Sequence, residues 1–208
     1  MTRLPSTSAH PSRGDRVRRF ALLLFILLAR PVFAADCPPE TVVVTSPSLT
    51  IATLNIAHGR KDARNQLFVR EERFRANLLE LAALMDRAEA DVIALQEADG
   101  PSFWSGNFNH VDYLANQASF ENSVHAPHVD GIGLSYGTAL LANLELQNAQ
   151  AITFDPVLSP IPKGFVVSTI RWPGRPCVEF DIVSIHLDFA SKSVRRQQVA
   201  ELIETLQA

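Results

Sequence analysis

The chain alternates between short apolar runs and longer stretches with helical spacing. Residues 48–55, SLTIATLN, are largely apolar and rich in β-branched side chains, which predicts a strand covered on both faces. The run breaks at Asn55, a poor strand residue whose amide needs partners wherever it is buried. In REERFRANLLELAALMDRA, Phe74, Leu78, Leu81 and Met85 recur at i, i+4, i+7 and i+11, which predicts an amphipathic helix over about 69–88. Asp91 then opens DVIALQE, a short buried strand that ends on an acid.

The stretch 100–137 is less regular and is expected to hold one short helix within SFWSGNFNHVDYLANQ. TALLANLEL reads as a strand pair or one bent strand. A loop marked by Pro156, Pro160 and Pro162 leads into the strand GFVVSTIRW. WPGRP is a hairpin-type turn, and CVEFDIVSIHLD is the returning strand. The last segment, SVRRQQVAELIETLQA, predicts a helix with Val199, Leu202, Ile203 and Leu206 on one face. This order of strands and helices points to a layered α/β domain rather than a bundle or an all-β sandwich. The chain stops at Gln207-Ala208 inside that helix, so the expectation is a piece of a longer protein.

Composition changes the picture at the N-terminus. Five Arg in the first twenty residues, the run ALLLFILLA and the small-residue site before Ala35 follow the order of a secretory signal. Residues 1–34 are therefore expected to be an export signal, with an extended, proline-marked leader over 35–47 and one domain over 48–208. The apolar run is too short to span a bilayer, so no stable membrane anchor is expected. Location would be secreted or periplasmic. The whole chain has 19 basic and 22 acidic residues, but six of the basic and one of the acidic lie in the first thirty-four. The remainder carries 13 against 21, which gives no global pull on nucleic acid and suits a divalent cation. Cys37 and Cys177 are compatible with a disulfide in an oxidising compartment or with two separate thiols.

Candidate chemistry sits at strand ends: Asn55, Glu97 and His186. In layered α/β proteins such ends gather at one rim. A carboxylate beside an amide oxygen suits a hard cation such as Mg²⁺, and a nearby His can donate to a phosphate oxygen. Each residue also has a plain structural reading: Asn55 as an Asx-turn, Glu97 as a solvated loop-mouth residue, His186 as a satisfied core histidine.

The blocks LTIATLNIAHG, ADVIALQEAD, SYGTALLAN and VEFDIVSIHLD, followed by a helix with RRQQ, resemble the endonuclease/exonuclease/phosphatase superfamily of deoxyribonuclease I-like phosphoesterases. The resemblance runs from about residue 49 to the end, with the blocks in family order. It implies a four-layer α/β/β/α sandwich and hydrolysis of phosphomono- or phosphodiesters with Mg²⁺ or Mn²⁺. It implies Glu97 as a metal ligand, Asn55 as a residue holding the metal or its water, and His186 as a contact to the scissile phosphate. Tyr136 would lie near the substrate. Substrates in such proteins include nucleic acids, lipid head groups and small phosphate esters. The family continues into a Gly-Asp-x-Asn strand and a later Ser-Asp-His-like segment, and neither follows residue 188 here. The expectation is therefore an incomplete, inactive portion of an exported phosphoesterase. The alternative is a non-catalytic exported binding domain that keeps the fold. Oligomeric state is open.

Overall fold

The structure, a computed structural model, describes residues 28–29, 48–155, 161–172 and 175–207, with side chains described except at 28–29 and 175–177. The expected signal (apart from a two-residue strand), the leader and the Cys37–Cys177 question lie outside those residues.

Two four-stranded sheets face each other. One has the order β2-β3-β5-β4, built from Ile51–Asn55, Val92–Asp99, Leu134–Ala142 and Asn122–Gly131. The other has the order β1-β8-β7-β6, from Leu28–Ala29, Arg175–His186, Gly164–Trp172 and Gln147–Thr153. Helices α1 (Glu71–Ala88) and α2 (His110–Gln117) cover the first sheet, and α3 (Lys192–Gln207) covers the second. The four-layer sandwich is thus present among the described residues.

Alternation along the strands explains the layers. Ile93 and Leu95 of β3 join Leu78, Ala82 and Met85 of α1 in one core. Val92 and Ala94, on the opposite face, meet Val166, Ile170, Phe180 and Ile182 of the second sheet. Phe165, Val167, Val183 and Ile185 then pack on Leu202 and Leu206 of α3. Strands buried on both faces must read as continuous apolar runs, which is why these were visible in the sequence.

At one end the inter-sheet core turns polar. Gln96 is 2% exposed and donates to Ser184 Oγ (3.2 Å) and Thr53 Oγ1 (3.2 Å), while Ser184 Oγ donates to the carbonyl of Leu95 (2.7 Å). These bonds join the two sheets just below the rim carrying Asn55, Glu97 and His186.

Three expectations are corrected. TALLANLEL is neither a strand pair nor one bent strand: its first half ends β5, which begins at Leu134, and the next strand starts only at Gln147. The region read as irregular contains β4 and the start of β5, paired antiparallel. β4 holds Pro127 at a bulge, and β6 is exposed along most of its length. Among the described residues both are edge strands, where apolar alternation is not required. On α3 the inward face is Gln198, Leu202 and Leu206, whereas Ile203 is 42% exposed. Gln198 is drawn inward because its Oε1 accepts from the Asp188 backbone N–H at 2.8 Å.

Candidate active site

Glu97 owes its position to a bulge. β3 pairs with β5 as Gln96↔Thr138 and then Ala98↔Gly137, leaving Glu97 as the extra residue with φ +52°. A left-handed conformation costs a non-glycine residue about 1–2 kcal/mol, and bulges serve to re-aim side chains. Without it Glu97 would follow Ile93 and Leu95 into the helix-facing core. With it, Leu95 and Ala98 share that core and the carboxylate turns to the rim. On the other side of β5, Gly137 lets β4 close in, because a Cβ there would lie 1.9 Å from the Ala126 carbonyl oxygen.

Asn55 closes β2 with an Asx-turn, its Oδ1 accepting from Ala57 N at 2.9 Å, and its side chain helps lower the Glu97 carboxyl. The plain structural reading of this residue is present in that turn. The chain then passes through Ala57, His58 and Gly59, all with positive φ. Asn77, on α1, donates to the Gly59 carbonyl at 2.9 Å and fixes this turn. The result points the His58 ring back over the rim. Its Nδ1 is 2.7 Å from Oδ1 of Asp99, a side chain with no exposure, and its Nε2 is 3.6 Å from Glu97 Oε2. Trp104 Nε1 donates to the other Asp99 oxygen at 2.8 Å. The Trp104 and Tyr136 rings flank His58 at 5.3 and 5.5 Å.

His186, closing β8, places Nε2 3.6 Å from Glu97 Oε1. Lys163, just before β7, holds Nζ 3.3 Å from both ring nitrogens of His186. Burial, reinforced by Lys163 against the pull of Glu97, pushes the His186 imidazole down to about 4, so it is neutral at neutral pH. Lys163 is itself lowered by burial, with Glu97 and Asp188 pulling the other way. Burial alone would raise the Glu97 carboxyl, but His58, the Asn55 hydrogen bond, His186 and Lys163 together hold it below its ordinary value. Burial, followed by Asp99 and Glu97, pushes the Tyr136 phenol up to about 12, so it stays protonated.

The rim thus gathers Asn55, Glu97 and His186 around one carboxylate, with Tyr136 one ring away across His58. Asp188 lies beside them as a loop cap, its Oδ1 accepting from Ala190 N and Ser191 N at 2.9 and 2.6 Å. Among the described residues no three His, Cys, Asp or Glu side chains form a ready metal cage. The donor set fits a cation that keeps most of its waters: one ionised, 22% exposed carboxylate and an amide oxygen with a lone pair to spare. His58, Asp99 and Lys163 were not singled out as site residues from the sequence. The available signals were His58 inside the NIAHG block and Asp99 two positions after Glu97.

Similarity to known proteins bears on the fold. The chain resembles an endonuclease/exonuclease/phosphatase from Beutenbergia cavernae DSM 12333, with TM-score 0.53 at 13% identity over 75% of this chain and 43% of that one. It also resembles an endonuclease/exonuclease/phosphatase family protein from Leptotrichia buccalis C-1013-b, with TM-score 0.51 at 16% identity over 76% of this chain and 63% of that one. This chain therefore spans less than two thirds of either structure. No curated protein matches it significantly. The sequence profile of the Endonuclease/Exonuclease/phosphatase family matches residues 52–207, and the chain belongs to that family.

Proposed function

We propose that this chain carries the cation- and phosphate-binding portion of an exported phosphoesterase that hydrolyses phosphomono- or phosphodiester bonds. One observation carries the reading. An ionised Glu97 carboxylate is held in a strained bulge at the rim of a family fold, with Asn55, His186 and Lys163 turned toward it. Strain of this kind is retained where surrounding structure enforces it, and it concentrates at functional sites.

Glu97, with Asn55 beside it, is the group that would hold a divalent ion, Mg²⁺ or Mn²⁺. Bound there, such an ion supplies Lewis acidity toward a phosphate oxygen. Lys163 offers an ammonium and His186 a neutral imidazole to the ester's anionic oxygens. Tyr136, protonated at all working pH values, walls the substrate side. His58 is held in one orientation by Asp99, which presents its Nε2 edge to the same space. The groups that would activate water are expected from segments the sequence does not contain, so little turnover is expected from these 208 residues. The substrate is a lipid head group, a nucleic acid or a small phosphate ester.

The test is calorimetric titration of the full chain and of Glu97→Gln with Mn²⁺, together with hydrolysis of bis-p-nitrophenyl phosphate. Binding lost in Glu97→Gln supports the assignment, and unchanged binding removes it. Brisk wild-type turnover would refute the incomplete-site reading. Metal binding with no turnover even after extension of the chain would favour the exported binding domain.

A further inference from the structure

Exposed apolar side chains are concentrated at the same rim. Among the described residues ten large hydrophobics are exposed, and six of them stand on loops leaving that rim: Leu67, Phe68, Phe103, Ile132, Ile161 and Phe189. Phe68 is 87% exposed at a 3-10 turn, and Ile132 is fully exposed at the tip of the β4–β5 hairpin. The hairpin and the Phe103 loop form one lip, since Phe103 N donates to the Gly133 carbonyl at 2.8 Å and Ser102 Oγ donates to that of Ser135 at 2.7 Å. The lip is continuous with the site, because the Phe103 ring lies 6.4 Å from Trp104, which packs on His58. The Leu67–Phe68 loop is also basic. Residues 60–70 hold four Lys or Arg against one acid, in a chain that from residue 35 onward carries 13 basic against 21 acidic residues.

We propose that these tips seat the rim on an anionic phospholipid surface, with the apolar side chains entering the headgroup boundary and Arg64 and Arg70 engaging lipid phosphates. One or two apolar side chains on each of several separate loops suit a fluid layer that accepts each loop separately. A protein partner would instead meet a contiguous, packed apolar centre. A nucleic acid would use stacking rings along a basic groove, for which Leu67 and Ile132 are the wrong chemistry. A local basic loop on an acidic domain complements anionic lipid at short range. The inference stands on the placement of these side chains and not on the hydrolytic reading, so either can fail alone.

The experiment is co-sedimentation of the full chain with phosphatidylcholine vesicles containing or lacking phosphatidylglycerol. The comparison is with L67S/F68S, F103S/I132S, R64E/R70E and an off-rim control, L84S/I203S. Each rim pair is expected to weaken partition to anionic vesicles by at least about ten-fold, and the control to leave it unchanged. Circular dichroism of each variant confirms that these exposed substitutions leave the fold intact. Three results would overturn the proposal: no preference for phosphatidylglycerol, equal binding by rim and wild-type chains, or duplex DNA binding lost in R64E/R70E alone with vesicles ignored.

Discussion

Lowering the pH from 7.5 to 4.5 should destabilise this fold chiefly through buried imidazoles, and His128 isolates one of them. His128 is 7% exposed on β4, with Nε2 3.0 Å from Thr138 Oγ1 and Nδ1 3.4 Å from Thr153 Oγ1. Burial, followed by the nearby His186, His125 and Lys163, pushes it from 6.5 down to about 3. No carboxylate is among the groups acting on it, so a proton there would be uncompensated. The unfolded chain takes up this proton below pH 6.5 and the folded chain only near 3. Stability is therefore fully present above 6.5 and falls as pH drops through that window. At about 1.4 kcal/mol per pH unit the ceiling is roughly 5 kcal/mol, of which roughly 2.5 falls between pH 7.5 and 4.5.

The assay is urea unfolding of wild type and His128→Gln at both pH values. Gln keeps an amide within reach of the Thr138 hydroxyl but cannot titrate. The variant is expected to be less stable at pH 7.5, since a packed ring is lost, yet to lose roughly 2.5 kcal/mol less than wild type on acidification. His186 and the surface acids titrate in both chains and cancel in the difference. Equal acid losses in the two chains would refute the reasoning and place the uncompensated proton elsewhere.

Two further outcomes test packing. Gly137→Ala should cost several kcal/mol, of order 3 or more, because its Cβ would meet the backbone of Ala126 and His128 at 1.9–2.9 Å. Gly131→Ala on the same hairpin meets nothing within 4 Å and should change the urea midpoint little. On α3, Leu202→Ala should cost about 2–5 kcal/mol, whereas Ile203→Ser should stay within about 0.5 kcal/mol. Equal costs at 202 and 203 would mean the helix is rotated relative to the sheet.

The legible parts of the fold are those where burial on both faces leaves no alternative to a long apolar run. β3, β7 and β8 satisfy that condition, and α1 was legible instead by its one-sided apolar spacing. β4 and β6 do not. Each ends its sheet among the described residues, so polar residues and Pro127 cost little there, and the pattern that would announce them never had to form. On α3 the misread face has the same kind of cause. An amphipathic count weighs Ile203 by hydropathy alone, but the register was settled by Gln198, whose amide oxygen completes the buried backbone at Asp188.

The site was legible in a different way and to a different depth. Asn55, Glu97 and His186 are separated by 42 to 131 positions, and only strand ends meeting at one rim make them neighbours. Block order supplied that inference; spacing alone did not. His58 and Asp99 stayed hidden because their meeting depends on two backbone departures that residue type does not announce. A left-handed Ala57-His58-Gly59 turn brings one ring back over the rim, and the bulge at Glu97 shifts Asp99 out of the strand's alternation. The same bulge exposes Glu97 and buries Asp99 beside it, so two carboxylates two residues apart receive opposite environments. One is left with exposed oxygen for a ligand. The other is saturated by His58 and Trp104 and can only orient what it touches. That division follows from the one extra residue in β3, which shifts the alternation between Gln96 and Ala98.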